Sequence, residues 1–309
     1  MPSRAIPDTL LARIFSNRRI LFGGGVLLLI MLICLATLPW TLHVNGDYYY
    51  DFQHQNAGQL PPQMPLWKAM GTTKLGQSLL GQCLIGGVIS LTIGVAAATV
   101  SVVLGVCVGV LAGYRGGWVD GLLMRTVDVL YGLPYILMVI LLKIALEHPL
   151  QKLLNVGSQT VNLIVLFLAI GLVSWLTMAR VIRGQVLSLR SMPFIDAARA
   201  VGTPGWRIFL NHLLPNLIGP ISVYATLTIP QAILQESFLS FLGIGIQPPM
   251  PSWGALASDA LLPSLSTIHS YWWLLLFPCT LLAITLLSLN FLGDGLRDVF
   301  DPKRDAAKI

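Results

Sequence analysis

Glu236 is the one acid deep inside a long apolar run, and Gln231, Gln235, Ser237 and Ser240 stand beside it. An ionised carboxylate at the centre of a bilayer costs about 2.5–3.5 kcal/mol even on lenient scales. A carboxylate placed there is therefore expected to face protein or a water-filled path. At helical spacing Gln235 and Glu236 can flank one lumen, whereas Gln231 cannot share that direction with both. The competing reading is a buried, hydrogen-bonded structural acid. Gln231, Gln235, Glu236 and Ser240 are thus the candidate path residues. No catalytic constellation accompanies them. No lysine follows a glycine, so the G-x-x-x-x-G-K phosphate loop is missing. His43, His54, His148, His212 and His269 are scattered, without metal-ligand spacing and without a paired carboxylate for acid–base work. Cys34, Cys83, Cys107 and Cys279 lie in or beside apolar blocks with no paired spacing and read as small buried hydrophobes. No catalytic or metal residue is assigned, and the chain is not expected to be an enzyme by itself.

The elements that must position Glu236 follow from composition. Of 309 residues, 55% are hydrophobic and 10% charged, against about 25% charged in an average soluble domain. So few charges cannot clothe a water-soluble surface, and so much Leu, Ile and Val excludes disorder. Blocks without any Asp, Glu, Lys or Arg run over 20–46, 75–114, 153–179, 208–235 and 260–293, and about 20 apolar residues span a bilayer. The fold class is an all-α polytopic membrane protein. Six spans are placed at 20–39, 86–113, 120–146, 160–180, 213–242 and 271–293. Asp120, Arg125 and Asp128 sit in the first turns of the third, tolerable only near the interface. The fifth is longer than a bilayer requires, with Pro230 as the place for a break.

Counting cations orients the chain. One side receives 15 of the 19 Lys and Arg, leaving Lys68, Lys74, Lys143 and Lys152 on the other. This places both termini and the 181–212 loop in the cytoplasm. The net charge of +6 is then an orientation signal and not a nucleic-acid groove. The resulting organisation is a cytoplasmic segment 1–19, a first transmembrane helix 20–39, an outer segment 40–85, a five-helix core 86–293 and a cytoplasmic tail 294–309. No small-x-small cleavage site follows Pro39, so the first span reads as a retained signal-anchor. Leu10, Leu11, Ile14 and Phe15 make one apolar face suited to a helix lying on the inner leaflet, with a disordered tail as the alternative. A second outer loop, 243–270, carries prolines and Trp253 and is expected to form a rigid cap.

Two patterns stand out along this frame. Ser101, Gly105, Gly109 and Gly113 recur every four residues, giving a helix one nearly flat face. Small-xxx-small faces permit close helix crossings in lipid, so a tight crossing in the bundle or at a subunit interface is expected. The second pattern is the cytoplasmic loop. Ser191-Met192-Pro193 opens a short helix of about nine residues through Val201, roughly 13 Å long. Gly202 suits a left-handed helix end, and Thr203 with Pro204 can start a second helix. Ala197 and Ala198 leave the first helix low and open to docking. On pattern alone, a contact element and an ordinary connector stand level.

Asp196-Ala197-Ala198, Gly202 and Leu214-Pro215, with the proline 13 residues after that glycine, resemble the EAA signature of ABC importer permeases. Trp206, Arg207, Ile208, His212 and Asn216 fit the dipeptide/oligopeptide branch. Ala112 to Asp120 with Arg125 and Asp128, Phe238 to Gly245 with Gln247-Pro248-Pro249 and Pro251-Ser252-Trp253-Gly254, and Asn290 to Asp298 with Asp301-Pro302-Lys303 resemble its C-type permease. The resemblance covers roughly 70–300. It implies a six-helix, MetI-like type I permease in a bacterial inner membrane, with 40–85 periplasmic. Asp196, Ala197, Ala198, Arg199, Gly202, Trp206, Arg207 and Pro215 would then form an ATPase-coupling loop.

The implied partners are a second homologous permease, one or two ABC ATPase subunits, a periplasmic or lipid-anchored solute-binding protein docking on 40–82 and 243–270, and membrane lipid, with no nucleic acid. This chain would bind no cofactor itself, ATP and Mg being used by the ATPases. The implied function is ATP-driven import of di- or oligopeptides. The branch also serves nickel and other small solutes, and an ATP-independent secondary transporter is the rival class, although the halves show no clear inverted repeat. The chain departs from the branch at Asp196 (usually Glu), at His212 (Ile in the general motif) and at Gly71-Thr72-Thr73-Lys74-Leu75-Gly76-Gln77-Ser78, where acidic and arginine residues are usual.

Overall fold

The computed structural model describes residues 10–44, 46–265 and 270–300. Expectations for 1–9, for 301–309, for 266–269 and for the side chains of Leu10 and Leu11 lie outside the described residues. Helices make up the regular structure, beside one isolated bridge between Thr72 and Ser78. Short α1 (Leu10–Ser16) leads into α2 (Arg18–Ala36) and the single turn α3 (Leu38–Thr41). An irregular outer segment follows, and then α4 (Leu79–Arg115), α5 (Gly117–Tyr131), α6 (Tyr135–Leu154) and α7 (Ser158–Arg190). The loop helices α8 (Pro193–Ala200) and α9 (Gly205–Ile208) lead to α10 (Leu214–Phe241), with α11 (Trp253–Ser264) and α12 (Trp272–Phe300) closing the order. Among the described residues, five stretches are long and apolar enough to cross a membrane: α2, α4, α7, Gly205–Phe241 and α12.

The third span differs from its expected form. Residues 120–146 are not one helix: α5 and α6 meet at a bend of 98°. Gly132 ends α5 and Pro134 precedes α6. A proline disfavours helical backbone at the residue before it, so Leu133 cannot carry the helix through. Counted as one broken span, the pair makes six crossings. The fifth span departs in the opposite sense. α10 continues through Pro230, which is buried against the bundle, and packing holds a membrane helix together across a missing N–H. The second and fourth helices also exceed their expected bounds. α7 runs on to Arg190, so the first third of the 181–212 stretch is helix and not loop.

α4 and α7 form the spine. α4, with 37 residues, is about 55 Å long, far more than a bilayer core requires. A Cβ added at Gly105 would lie 2.4 Å from Met178 Cβ, at Gly109 2.6 Å from the Ala179 carbonyl oxygen, and at Gly113 2.8 Å from Val186 Cβ. Ser101 is buried on the same face. The small-residue stripe therefore faces α7 within the chain. Gly171 of α7 returns the contact, its missing Cβ 2.8 Å from the Ala97 carbonyl oxygen. Around this crossing, Ile93, Ala97, Leu166, Ala169, Ile170 and Ala232 make a core shared by α4, α7 and α10. α2 packs on α12 by the same device: a Cβ at Gly23 would meet the Ser288 carbonyl oxygen at 2.5 Å, and one at Gly295 the Ile20 side chain at 2.5 Å. Asn17 caps α2 and its Nδ2 donates to the Gly295 carbonyl at 3.2 Å.

Gly109→Ala places a methyl group against backbone that cannot move without parting the two helices. It should destabilise the purified protein by about 1–3 kcal/mol, whereas Gly121→Ala, where a Cβ meets nothing within 4 Å, should leave stability unchanged or raise it slightly. Unfolding followed by size-exclusion fluorescence after heating separates the two. Equal midpoints would show that the crossing has slack.

Candidate functional site

The 191–215 loop is built on a small apolar anchor. Ile195 of α8, Ile208 of α9 and Leu213 are buried together, with Tyr114, Leu189, Ala198 and Phe209 packed around them. Ile195 is the one buried residue of α8. The rest of that helix and its exit stand open: Met192 and Phe194 are exposed, and Val201 is 86% exposed. Asp196 and Arg199 pair within α8, Oδ1 to Nη1 at 3.2 Å, both well exposed. Gly202 has φ +80° with open space around it, so its glycine serves the left-handed turn itself and not a close approach.

Two local details differ from the sequence expectation. Ser191 does not cap α8; its Oγ donates to the Ser188 carbonyl at 2.9 Å, and Met192 holds the cap position. Thr203 does not cap the second helix either, because Pro204 stands there. Between α9 and α10 lies one π-helical turn, Phe209–Leu213. Pro215 follows in the first turn of α10 and cannot donate an amide hydrogen bond. A widened turn lets the chain pass into α10 without a clash at that ring. Trp206 and Arg207 are exposed on α9, the guanidinium 5.2 Å from the indole centroid.

Charged pairs that the linear sequence conceals hold the loop's base. Arg183 forks onto Asp120, Nε to Oδ1 at 2.5 Å and Nη2 to Oδ2 at 2.6 Å. Arg180 Nη2 reaches Asp128 Oδ1 at 2.7 Å while its guanidinium lies 4.0 Å from the Tyr131 ring centroid. These contacts lash α5 to α7 in antiparallel order. Arg190 Nη1 donates to the Gly113 carbonyl at 2.8 Å, tying the end of α7 to the end of α4. Bidentate geometry makes such pairs directional, although partial exposure keeps their strength modest. The partners are 52 to 77 residues apart in sequence, so no local pattern announces them.

At the other end of the bundle, Glu236 is fully buried. Its Oε1 accepts from Ser240 Oγ and Ser252 Oγ, each at 2.7 Å. Ser252 also caps α11, accepting from Ala255 N at 3.0 Å. Glu236 therefore pins α10 to the start of α11. Trp253 completes the joint: it is buried, its Nε1 donates to the Cys83 carbonyl at 2.9 Å, and its N–H donates to Ser90 Oγ at 3.2 Å. Gly86, Gly87 and Gly254 supply the close approaches that this docking needs. Among the path candidates, Glu236 and Ser240 come together. Gln235 is half-buried and accepts from Tyr135 of α6 instead, and Gln231 lies on an exposed face. Lys143, also buried, donates to the Ile244 and Gly245 carbonyls just past α10.

Above this joint lies a cavity of about 820 Å³ between the outer segment, the 243–251 loop and α11; Asp51, Lys74, Gln247, Ser258 and Asp259 are among its lining residues. Crowding by the wall strips water from the Asp259 carboxyl and raises it above the usual range, with Lys74 pulling it down. Burial and the adjoining Tyr49 push the Tyr50 phenol up to about 12. The 71–78 segment contributes amide and hydroxyl groups to its hydrogen bonds. Gln77 Nε2 donates to Asp51 Oδ1 at 2.9 Å and its Oε1 accepts from Thr73 and Gln82. Ser78 caps α4 and donates to the Trp67 carbonyl at 2.6 Å. No three His, Cys, Asp or Glu side chains converge among the described residues.

Residues 105–306 match the family described as binding-protein-dependent transport system inner membrane components. The chain belongs to that family. It is 45% identical over 280 residues to the oligopeptide transport system permease protein OppC of Salmonella typhimurium, covering 91% of this chain and 87% of the relative. The dipeptide permease DppC of Bacillus subtilis is 39% identical, with 91% of this chain and 81% of the relative covered. The glutathione permease GsiD of Pectobacterium atrosepticum is 33% identical, with 94% and 89% covered. In fold, a chain from inward-facing structures of the MetNI methionine ABC transporter superposes with a TM-score of 0.53 at 18% identity, covering 72% of this chain and 97% of its own length. The family's MetI-like helical architecture is thus the one this permease adopts.

Glu236→Leu strips the acceptor from two buried hydroxyls, while Glu236→Gln keeps an amide oxygen for them. In detergent denaturation the Leu variant should be about 1–3 kcal/mol less stable than the Gln variant. Equal stability of the two would mean that the Ser240 and Ser252 bonds hold nothing together.

Proposed function

We propose that this chain is one of the two permease subunits of an ATP-driven importer of di- or oligopeptides in a bacterial inner membrane. The observation that carries the reading is the architecture of 191–215: α8 is held by a single buried isoleucine and offers its remaining faces, with Phe194 and Val201, to solvent. Apolar side chains left uncovered on a rigid, well-anchored helix fit a partner protein. In a family of transport permeases that partner is an ATPase, and α8 is the coupling helix.

Asp196, Ala197, Ala198 and Arg199 form the docking face in this reading. Gly202 turns the chain away, and Trp206, Arg207 and Pro215 build the elbow into α10. ATP and Mg are used by the partner, and this chain carries out no catalysis. The sidedness follows from the arginine distribution: both termini and the 181–212 stretch face the cytoplasm. The outer segment 40–85 and the 243–270 loop then face a periplasmic or lipid-anchored solute-binding protein, above the polar cavity. A second, homologous permease completes the path. Oligopeptide, dipeptide and glutathione permeases among the relatives favour peptides as cargo.

The test uses the chain purified with its partners and reconstituted in proteoliposomes loaded with ATP-regenerating components. Ala197→Trp raises the docking face at an exposed position, and Gly202→Val costs about 1–2 kcal/mol of local backbone conformation. Both should lose co-purification of the ATPase and at least tenfold of labelled-peptide uptake, with thermal unfolding of the Ala197→Trp permease unchanged. Normal uptake by both variants would overturn the assignment of the coupling helix. Normal assembly without uptake of any di- to pentapeptide would overturn the substrate class.

A further inference from the structure

A second cavity, of about 540 Å³, opens at the arginine-rich end of α4. Val106, Val110 and Leu111 of α4 with Phe209 of the π turn make its apolar wall, and Tyr114 and Trp206 also line it. Arg115 closes the rim in the last turn of α4. Arg207 follows the lining residue Trp206 on the same short helix and is exposed. Several arginines on this side are engaged within the chain. Arg180, Arg183 and Arg199 each pair with an aspartate. Among the described residues, neither Arg115 nor Arg207 has a carboxylate partner, and the cavity lining contains no acid.

Dimensions narrow the occupant further. From Val106 to Arg115 the helix rises about 14 Å, close to the depth of one leaflet of a hydrocarbon core about 30 Å thick. The groove is thus lined by apolar side chains over about one leaflet's depth, includes a tryptophan, a side chain favoured at membrane interfaces, and carries the Arg115 guanidinium, with Arg207 on the adjoining helix. Apolar side chains fit an acyl chain, and basic residues at the end of a membrane-spanning pocket fit an anionic headgroup.

We propose that this groove binds one anionic phospholipid, an acyl chain lying against Val106, Val110, Leu111 and Phe209 and the phosphate resting on Arg115 and Arg207. The lipid then fills the angle between the end of α4 and the elbow that leads from α8 into α10. Its site is separate from the outer cavity and from the exposed faces of α8.

Cys107 provides the readout, because it lines the groove and is exposed, whereas Cys34 and Cys83 are buried. The partner-containing complex carrying Cys279→Ser is delipidated in detergent, and alkylation of Cys107 by N-ethylmaleimide is timed while phosphatidylglycerol or phosphatidylcholine is added. Phosphatidylglycerol should protect Cys107 at about tenfold lower concentration than phosphatidylcholine, the order of preference that two arginines at a charged lipid surface give. Arg115→Gln with Arg207→Gln should abolish the difference, and Arg115→Lys with Arg207→Lys should restore most of it. Equal protection by both lipids in the unsubstituted complex overturns the proposal without any variant. Failure of Cys107 to react in the delipidated complex also overturns it, since the groove would then be covered by protein, the second permease first among the candidates.

Discussion

The close approach of α4 and α7 is the constraint on which the other arrangements depend. Between lipid-immersed helices there is no water to expel, so association rests on contact distance and on the polar groups that contact allows. Gly105, Gly109 and Gly113 let backbone meet backbone along three turns. This contact runs nearly the length of two helices that exceed the bilayer, and so it reaches both membrane faces. At one end Arg190 closes it on the Gly113 carbonyl, and Tyr114 enters the cluster that seats α8. At the other end Gly86 and Gly87 leave room for Ser252 and Trp253. The inner loop and the outer cap are therefore fixtures of one rigid pair.

The two faces use different polar chemistry. On the arginine-rich side, ion pairs place α5 against α7, with Arg183 and Asp120 side chains 34% and 15% exposed. Such partly solvated pairs contribute orientation more than stability. On the outer side, buried groups rely on neutral donors and acceptors: Thr73, Gln77 and Gln82 around Asp51, serines around Glu236, and carbonyls for Lys143. The 71–78 segment, which departs from the charged pattern of its branch, closes the same kind of joint with amides and hydroxyls. Neutral partners satisfy such groups without taking a second charge out of water.

Much of this was legible in the chain. Charge-free blocks located five crossings because bilayer thickness fixes their length, and the four-residue stripe marked the helix face that must come close to a neighbour. Gly202 announced a left-handed turn because few other residues accept one. What escaped reading was pairwise and distant. Nothing near Asp120 points to Arg183, and the break at Leu133-Pro134 was lost because the apolar composition continues across it. Pro230 misled for the same reason in reverse, since the packing that preserves a helix across proline lies in other elements. Glu236 stood out by its cost, but Ser252, one of the two serines that donate to its Oε1, comes from a loop 16 residues on.

The route from the loop to the cavity is short in elements even though it is long in distance. Ile195, Ile208 and Leu213 share one cluster, so displacing α8 carries the start of α10 with it. From Gly205 the chain runs as one span to Phe241, about 55 Å, and near its far end Glu236 holds Ser252 at the edge of the outer cavity. Stiff helix transmits such a displacement, whereas a widened turn absorbs it. The π turn at Phe209–Leu213 is where the hydrogen-bond ladder is out of register, so bending concentrates there. A groove filled on one side of that turn limits how far it can fold toward α4. The elbow, more than the buried acid, is then the element whose compliance sets how movement at α8 reaches the outer face.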